Sequence, residues 1–144
     1  MRIHDILRRK GDSVITIGSD ASLGELLALL TEHRIGAVVV SDADGEVTGI
    51  VSERDVITRL HATGLATENL YVRDLMTSPA VTCGPEDELE TLARTMTDRR
   101  IRHLPVVVDG RLAGVVSIGD VVKARLDQLQ VERDQLVDYV QQGG

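Results

Sequence analysis

The sequence contains no tryptophan and no phenylalanine, and only two tyrosines. Its interior must therefore be filled by Val, Ile, Leu and Ala, and it lacks the aromatic platforms on which nucleic-acid bases stack. Positive charge is in the minority: 16 Lys and Arg against 23 Asp and Glu leave a formal net charge of −7. That sign opposes a phosphate backbone, so no nucleic-acid partner is expected. A single cysteine, Cys83, excludes a disulfide framework. No apolar run approaches the ~18 residues of a spanning helix, and Met1-Arg2-Ile3-His4-Asp5 begins no signal peptide. These absences predict a cytoplasmic protein with no membrane partner. His4, His33, His61, His103 and Cys83 show neither an i, i+4 pair nor a C-x-x-C, so no metal site is expected.

What remains is an aliphatic, acidic chain of 144 residues, 42% hydrophobic and 27% charged. That length supports one core, or two small halves that share one.

Two stretches dominate the reading. Gly49-Ile50-Val51-Ser52-Glu53-Arg54-Asp55-Val56 is answered 65 positions later by Gly114-Val115-Val116-Ser117-Ile118-Gly119-Asp120-Val121. Each follows an apolar run and a turn, Asp42-Ala43-Asp44-Gly45 and then Asp109-Gly110. Each therefore predicts the second strand of a hairpin entering a helix. A hydroxyl and a carboxylate three residues apart then lie beside the free N–H groups of a helix start. There they can hold a phosphate and a sugar.

The similarity extends outward. Val81-Thr82 echoes Ile15-Thr16, Gly84 echoes Gly18, Leu89 and Leu92 echo Leu23 and Leu26, and Arg100-Ile101 matches Arg34-Ile35, all at an offset of 66. Val72-Arg73-Asp74-Leu75-Met76 repeats the pattern of Ile3-His4-Asp5-Ile6-Leu7. One residue is lost in the second hairpin turn. An internal duplication is the strongest inference.

Each half reads as a β-α-β-β-α unit. Val14 to Ile17 is a short strand, and Asp20 or Ser22 caps a helix carrying Leu23, Leu26, Leu27 and Leu30 on one face. The continuous run Ala37-Val38-Val39-Val40 is a buried strand. Arg8-Arg9-Lys10 reads as a solvated surface turn, and Asp5 and Asp74 as caps of the opening turns. The expected bounds are 3–64 for the first repeat, 65–71 for a connector and 72–124 for the second repeat. Residues 125–142 extend the last helix. The expected fold class is α/β (α+β), two repeats packed as a pseudo-two-fold pair.

That last helix carries Val122, Leu126, Leu129, Leu136 and Val140 in a coiled-coil-like stripe, with Arg133 at the missing seam position. Two readings stand side by side: a dimer contact, or a helix folded back on its own domain.

These closing motifs, with Met76-Thr77-Ser78-Pro79-Ala80-Val81-Thr82 and Arg100-Ile101-Arg102-His103-Leu104-Pro105-Val106, resemble the cystathionine β-synthase (CBS) domain, which occurs in tandem pairs. The resemblance covers nearly the whole chain. It implies two clefts for adenine nucleotides, each formed by the Ser/Asp motif of one half and the opening and middle strands of the other. Carried over, Ser52, Arg54 and Asp55 share a cleft with Val81, Thr82, Arg102 and His103. Ser117, Ile118 and Asp120 face Ile15, Thr16, Ala21, Gly36 and Ala37. The first cleft carries Arg54, Arg102 and His103, whereas Gly36, Ala37 and Gly119 give the second room without charge. The Asp55 cleft is therefore expected to take the more highly charged nucleotide, and the Asp120 cleft AMP or the adenosine end of something larger.

A Ser-x-x-Asp pair alone is usually a helix cap; its recurrence in both repeats favours binding. Ser52 and His103 lack the third group and oxyanion pattern of a nucleophilic site, so no enzymatic activity is expected. The expected function is a regulatory sensor, non-catalytic and homodimeric, that takes AMP first and NAD(H), ADP or ATP behind it, and signals to an unknown protein target. The alternative is a scaffolding dimerisation module with vestigial clefts.

Overall fold

The computed structural model describes residues 1–11, 13–64 and 69–143; residues 65–68 of the expected connector lie outside them. Among the described residues the first half runs α1 (Ile3–Lys10), β1 (Thr16–Ile17), α2 (Leu23–His33), β2 (Ala37–Val40), β3 (Gly49–Ser52) and α3 (Glu53–Thr63). The second runs α4 (Val72–Leu75), α5 (Leu89–Arg99), β4 (His103–Val108), β5 (Arg111–Ser117) and α6 (Ile118–Gly143). This is the expected α+β pair of repeats with an extended last helix.

Local chemistry explains the element starts and stops. Ser22 caps α2: its hydroxyl accepts from Glu25 N–H at 3.1 Å, and the Glu25 carboxylate reaches back to Ser22 N–H. Asp20, the other candidate cap, instead pairs with Arg73 at 2.7 Å. Helices α2 and α5 end alike, with Arg34 and Arg100 in the left-handed conformation at φ 53° and 55°. The second hairpin turns through Asp109 and Gly110, both at positive φ, as a tight two-residue loop requires. Asp5 and Asp74 each accept from the N–H three residues earlier, Arg2 and Tyr71.

The strands form two sheets. In the first, β1 pairs parallel with β2 (Ile17 opposite Val40), and β2 pairs antiparallel with β3 (Ala37 opposite Ser52). In the second, β4 pairs with β5, His103 opposite Ser117. The expected second opening strand, Val81-Thr82, does not form. Its place is taken by a single bridge, Cys83 opposite Val106. Cys83 N–H donates to Pro105 O and Cys83 O accepts from Val107 N–H. The next rung would need an N–H at position 105, which proline lacks.

The opening helices are exchanged between the cores. Ile3 and Ile6 of α1 are buried with Leu89, Leu92, Leu104 and Val116 of the second half. Val72 and Leu75 of α4 are buried with Leu23, Leu26, Val40 and Val51 of the first. The bonds that dock them are mirror copies: Ile3 N–H to Asp87 O and His4 N–H to Pro85 O, against Val72 N–H to Ala21 O and Arg73 N–H to Ser19 O. A pseudo-two-fold relation thus holds the halves by backbone bonds as well as by apolar contact.

Two expectations are corrected. Arg8-Arg9-Lys10 is the exposed last turn of α1 rather than a turn between elements, and two of its cations are paired: Arg9 with Asp127 at 3.0 Å and Lys10 with Asp120 at 2.8 Å. Helix α6 does not fold back. No proline or glycine breaks residues 120–142, so the helix continues straight off the body, and residues 129–143 are all exposed. Its stripe lies open, with Leu126 and Leu136 62% and 64% exposed.

Candidate functional site

The two Ser/Asp motifs sit where expected in the chain, each at a strand-to-helix junction. Ser52 ends β3 and caps α3; Ser117 ends β5 and precedes α6. Each is half-buried, because its strand carries alternating core residues: Val51 and Val116 point inward and are fully buried.

At the first junction Asp55 Oδ2 accepts from Ser52 N–H at 2.7 Å and from the Ser52 hydroxyl at 3.0 Å. Glu53 N–H donates to Gly36 O, which ties the start of α3 to β2. Arg54 is exposed and makes no hydrogen bond or ion pair among the described residues. At the second junction Asp120 Oδ2 accepts from Ser117 N–H at 2.9 Å and from Lys10 Nζ at 2.8 Å. Lys10 also donates to Val115 O at 2.8 Å. Ile118 N–H donates to Arg102 O, the counterpart of the bond at Gly36.

Lys10 was not among the sequence candidates, and it overturns the expectation of a second cleft without charge. The cause is length. Seven positions separate Leu7 from Val14 in the first half and four separate Met76 from Ala80 in the second. The extra chain lets α1 run on to Lys10, whereas α4 stops at Leu75. The ammonium thus reaches across to the other half's Asp120.

His103 lies between the halves. Its Cε1 stands 3.7 Å from where a Cβ on Gly36 would be, and Glu53 Oε1 stands 2.6 Å from that same point. A side chain at position 36 would therefore require the flexible Glu53 carboxylate to move aside. The charged groups around His103 are Lys10, Asp120, Arg102 and Glu53. Burial, then the Lys10 charge, pushes the imidazole below its ordinary value, so it is neutral at pH 7. For Asp120, burial acts to raise the carboxyl, but hydrogen bonds from Lys10 and Ser117 outweigh it and hold the group below the usual carboxylate range.

The remaining candidates are spread around these centres. Ala37 is buried opposite Ser52 in the first sheet. Ile15 and Ala21 pack against the first core and Val81 against the second. Thr16, Thr82, Arg102 and Ile118 are exposed. Two apolar grooves flank the molecule at pseudo-equivalent places. One of about 420 Å³ lies between α2 and α3 and includes Gly36, Glu53 and Ile57. The other, of about 530 Å³, lies between α5 and α6 and includes Ala93, Ile118 and Val122. Among the described residues no three His, Cys, Asp or Glu side chains gather as metal ligands. No described helix is long and apolar enough to cross a membrane.

Duplicated β-hairpins, each entering a helix through Ser-x-x-Asp and each covered by the other half's opening helix, define a paired α+β module. The family model for the CBS domain matches residues 3–62 and 72–127, and the chain belongs to that family. It is 33% identical over 149 residues to the mitochondrial CBS domain-containing protein CBSX3 of Arabidopsis thaliana, covering 98% of this chain and 72% of that one. Against uncharacterized relatives from Methanopyrus kandleri and Thermofilum pendens it spans 61% and 33% of their length.

Among solved structures, the CBS-domain containing protein ATU1752 from Agrobacterium tumefaciens is 47% identical, with a TM-score of 0.82 over 87% of this chain and 99% of that one. CBS domain protein PAE2072 from Pyrobaculum aerophilum, solved with AMP, is 28% identical, with a TM-score of 0.72 over 83% and 89%. The CBS domain pair of MJ0100, solved with 5′-methylthioadenosine and S-adenosyl-L-methionine, is 25% identical, with a TM-score of 0.74 over 89% and 98%.

Proposed function

We propose that this protein is a non-catalytic sensor of adenine nucleotides, with AMP as its first ligand and NAD(H), ADP or ATP as competitors. The observation that carries the reading is the repeated junction: a half-buried carboxylate three residues after a serine, at a helix start, in both halves. Ionised Asp55 and Asp120 accept only, which suits the two hydroxyls of a ribose, and the adjoining serines and helix N–H groups suit a phosphate. The solved relatives that hold AMP, methylthioadenosine or S-adenosylmethionine support an adenosyl ligand. With no Phe or Trp in the chain, adenine lies between aliphatic side chains and is read by backbone groups. Around each carboxylate the candidate contacts remain those named above, with Lys10 added beside Asp120. A ligand that touches both halves shifts their packing, and a partner protein reads the shift.

A second reading has its own observation. The open apolar stripe on α6 favours a homodimer, or a scaffold in which that helix does the work.

A thermal-shift screen of AMP, ADP, ATP, NAD, NADH and S-adenosylmethionine on wild type, Asp55→Ala and Asp120→Ala tests the sensor. A ligand at a hundred times its dissociation constant adds ~2.7 kcal/mol of stability, readily seen as a rise in melting temperature. Each substitution is expected to remove part of the rise. If no nucleotide moves the wild-type transition, the scaffold reading replaces the sensor.

A further inference from the structure

The two Ser-x-x-Asp junctions differ in the donors their carboxylates take. A serine hydroxyl has a single O–H to give. At the first junction that O–H donates to Asp55 Oδ2 at 3.0 Å, while Ser52 Oγ accepts from Asp55 N–H at 3.3 Å. At the second, Ser117 Oγ accepts from Asp120 N–H at 3.1 Å in the same way. Here, though, Asp120 Oδ2 takes its second donor from Lys10 Nζ at 2.8 Å. A lysine ammonium thus stands ahead of the serine hydroxyl as the donor to this carboxylate. The Ser117 side chain still acts on the Asp120 carboxylate, behind Lys10 and the Ser117 backbone, and the ammonium spends two of its three N–H bonds, on Asp120 and Val115 O.

We infer that Lys10 presets the Asp120 cleft for a phosphorylated nucleoside, and that this cleft, not the Asp55 cleft, discriminates an anionic ligand from a neutral or sulfonium one. The inference rests on the adenine-nucleotide reading above and reverses the ranking of the two clefts drawn from sequence.

The other charges fit. Lys10, Asp120, Arg102 and Glu53 all act on His103, two charges of each sign. An arriving phosphate therefore meets an Asp120 already paired with Lys10. It finds one donor already free, the third Lys10 N–H. A sulfonium nucleoside would bring a second cation to the same carboxylate. In the Asp55 cleft a phosphate can recruit Ser52 only by breaking the Ser52–Asp55 bond. No lysine at the end of an opening helix reaches that carboxylate, because α4 stops at Leu75 and Thr77-Ser78-Pro79 follow; Arg54 beside it is exposed and pairs with nothing among the described residues.

The test is isothermal titration of AMP and of adenosine into three proteins. Asp55→Asn weakens the first cleft so that the isotherm reports the second; Lys10→Met and Lys10→Arg are then added to it. In Asp55→Asn alone, AMP is expected to bind at least about tenfold more tightly than adenosine, as one charge-assisted bond implies (~1.4 kcal/mol). Lys10→Met should erase most of that ratio while leaving adenosine affinity within about threefold. Lys10→Arg, which keeps the charge, should retain most of it and also guards against a folding defect, which circular dichroism melts of each variant would show. An AMP-to-adenosine ratio unchanged by Lys10→Met overturns the inference and leaves the nucleotide reading standing. Absence of binding by both ligands to the wild type overturns the nucleotide reading itself, before any substitution is made.

Discussion

Replacing Ile3 with alanine takes three carbons out of a site that is wholly closed to solvent. At ~0.8 kcal/mol per buried methylene the transfer loss is ~2.4 kcal/mol. The cavity left among Leu89, Leu92 and Leu104 brings the total to about 3–4 kcal/mol, inside the range for large-to-small core changes. A domain with ~5–15 kcal/mol of stability survives this, so the variant should fold and its urea midpoint should fall. The informative part is where the loss appears. Ile3 lies in the first repeat by sequence but in the second core by packing. Native-state hydrogen exchange should therefore lose protection at Val106 and Val116 more than at Val39 and Val51. The mirror variant, Val72→Ala, should do the reverse. Equal loss in both sheets, or loss confined to β1–β3 in Ile3→Ala, would refute the exchange of opening helices.

Three further outcomes are expected. Burial pushes the Cys83 thiol up to about 12, with the nearby Asp87 charge adding to it, so native protein should resist iodoacetamide at pH 7.5 for hours while urea-unfolded protein labels fully, as read by mass spectrometry. The folded Asp120 carboxyl lies below its ordinary 3.8, so its contribution to stability is complete above that value and drains away as pH falls through the lower folded one. Urea midpoints between pH 5 and pH 2.5 should consequently drop more steeply in wild type than in Asp120→Asn. Truncation after Ala124 removes the open stripe of α6; sedimentation should show a smaller assembly, while nucleotide-induced melting shifts persist if the sensor reading is right.

The sequence made the repeats visible because local signals are enough for them: a continuous valine run, a turn with two positive-φ residues, a serine before a carboxylate. The α6 extension was legible for the same reason, since nothing in residues 120–142 stops a helix. What escaped depends on tertiary reach. Periodicity shows that Ile3 and Ile6 share a face, but not whose core that face enters. A basic step at a helix end looks solvated until the other half brings Asp120 within 2.8 Å of it. The missing strand at Val81-Thr82 was in principle readable: Pro105 stands where the parallel rung needs a donor, a signal that similarity to Ile15-Thr16 outweighed. His103 illustrates the limit at the site. Its strand position was evident, but its placement beside Gly36 and Glu53 follows from the pseudo-two-fold packing of whole halves.

The exchange of opening helices also gives the chain an order of assembly as it is synthesised. Every buried member of the first core lies between Leu23 and Leu75, so that core has all its parts once Leu75 has left the ribosome. The second core draws on Ile3 and Ile6 together with residues from Cys83 to Ala124. Helix α1 thus precedes the first core in the chain yet has nowhere to seat until the second half follows, and waits unsheltered in the interval. Its short length and the three consecutive cations at its end, Arg8, Arg9 and Lys10, keep that waiting segment hydrated until the second half arrives to receive it.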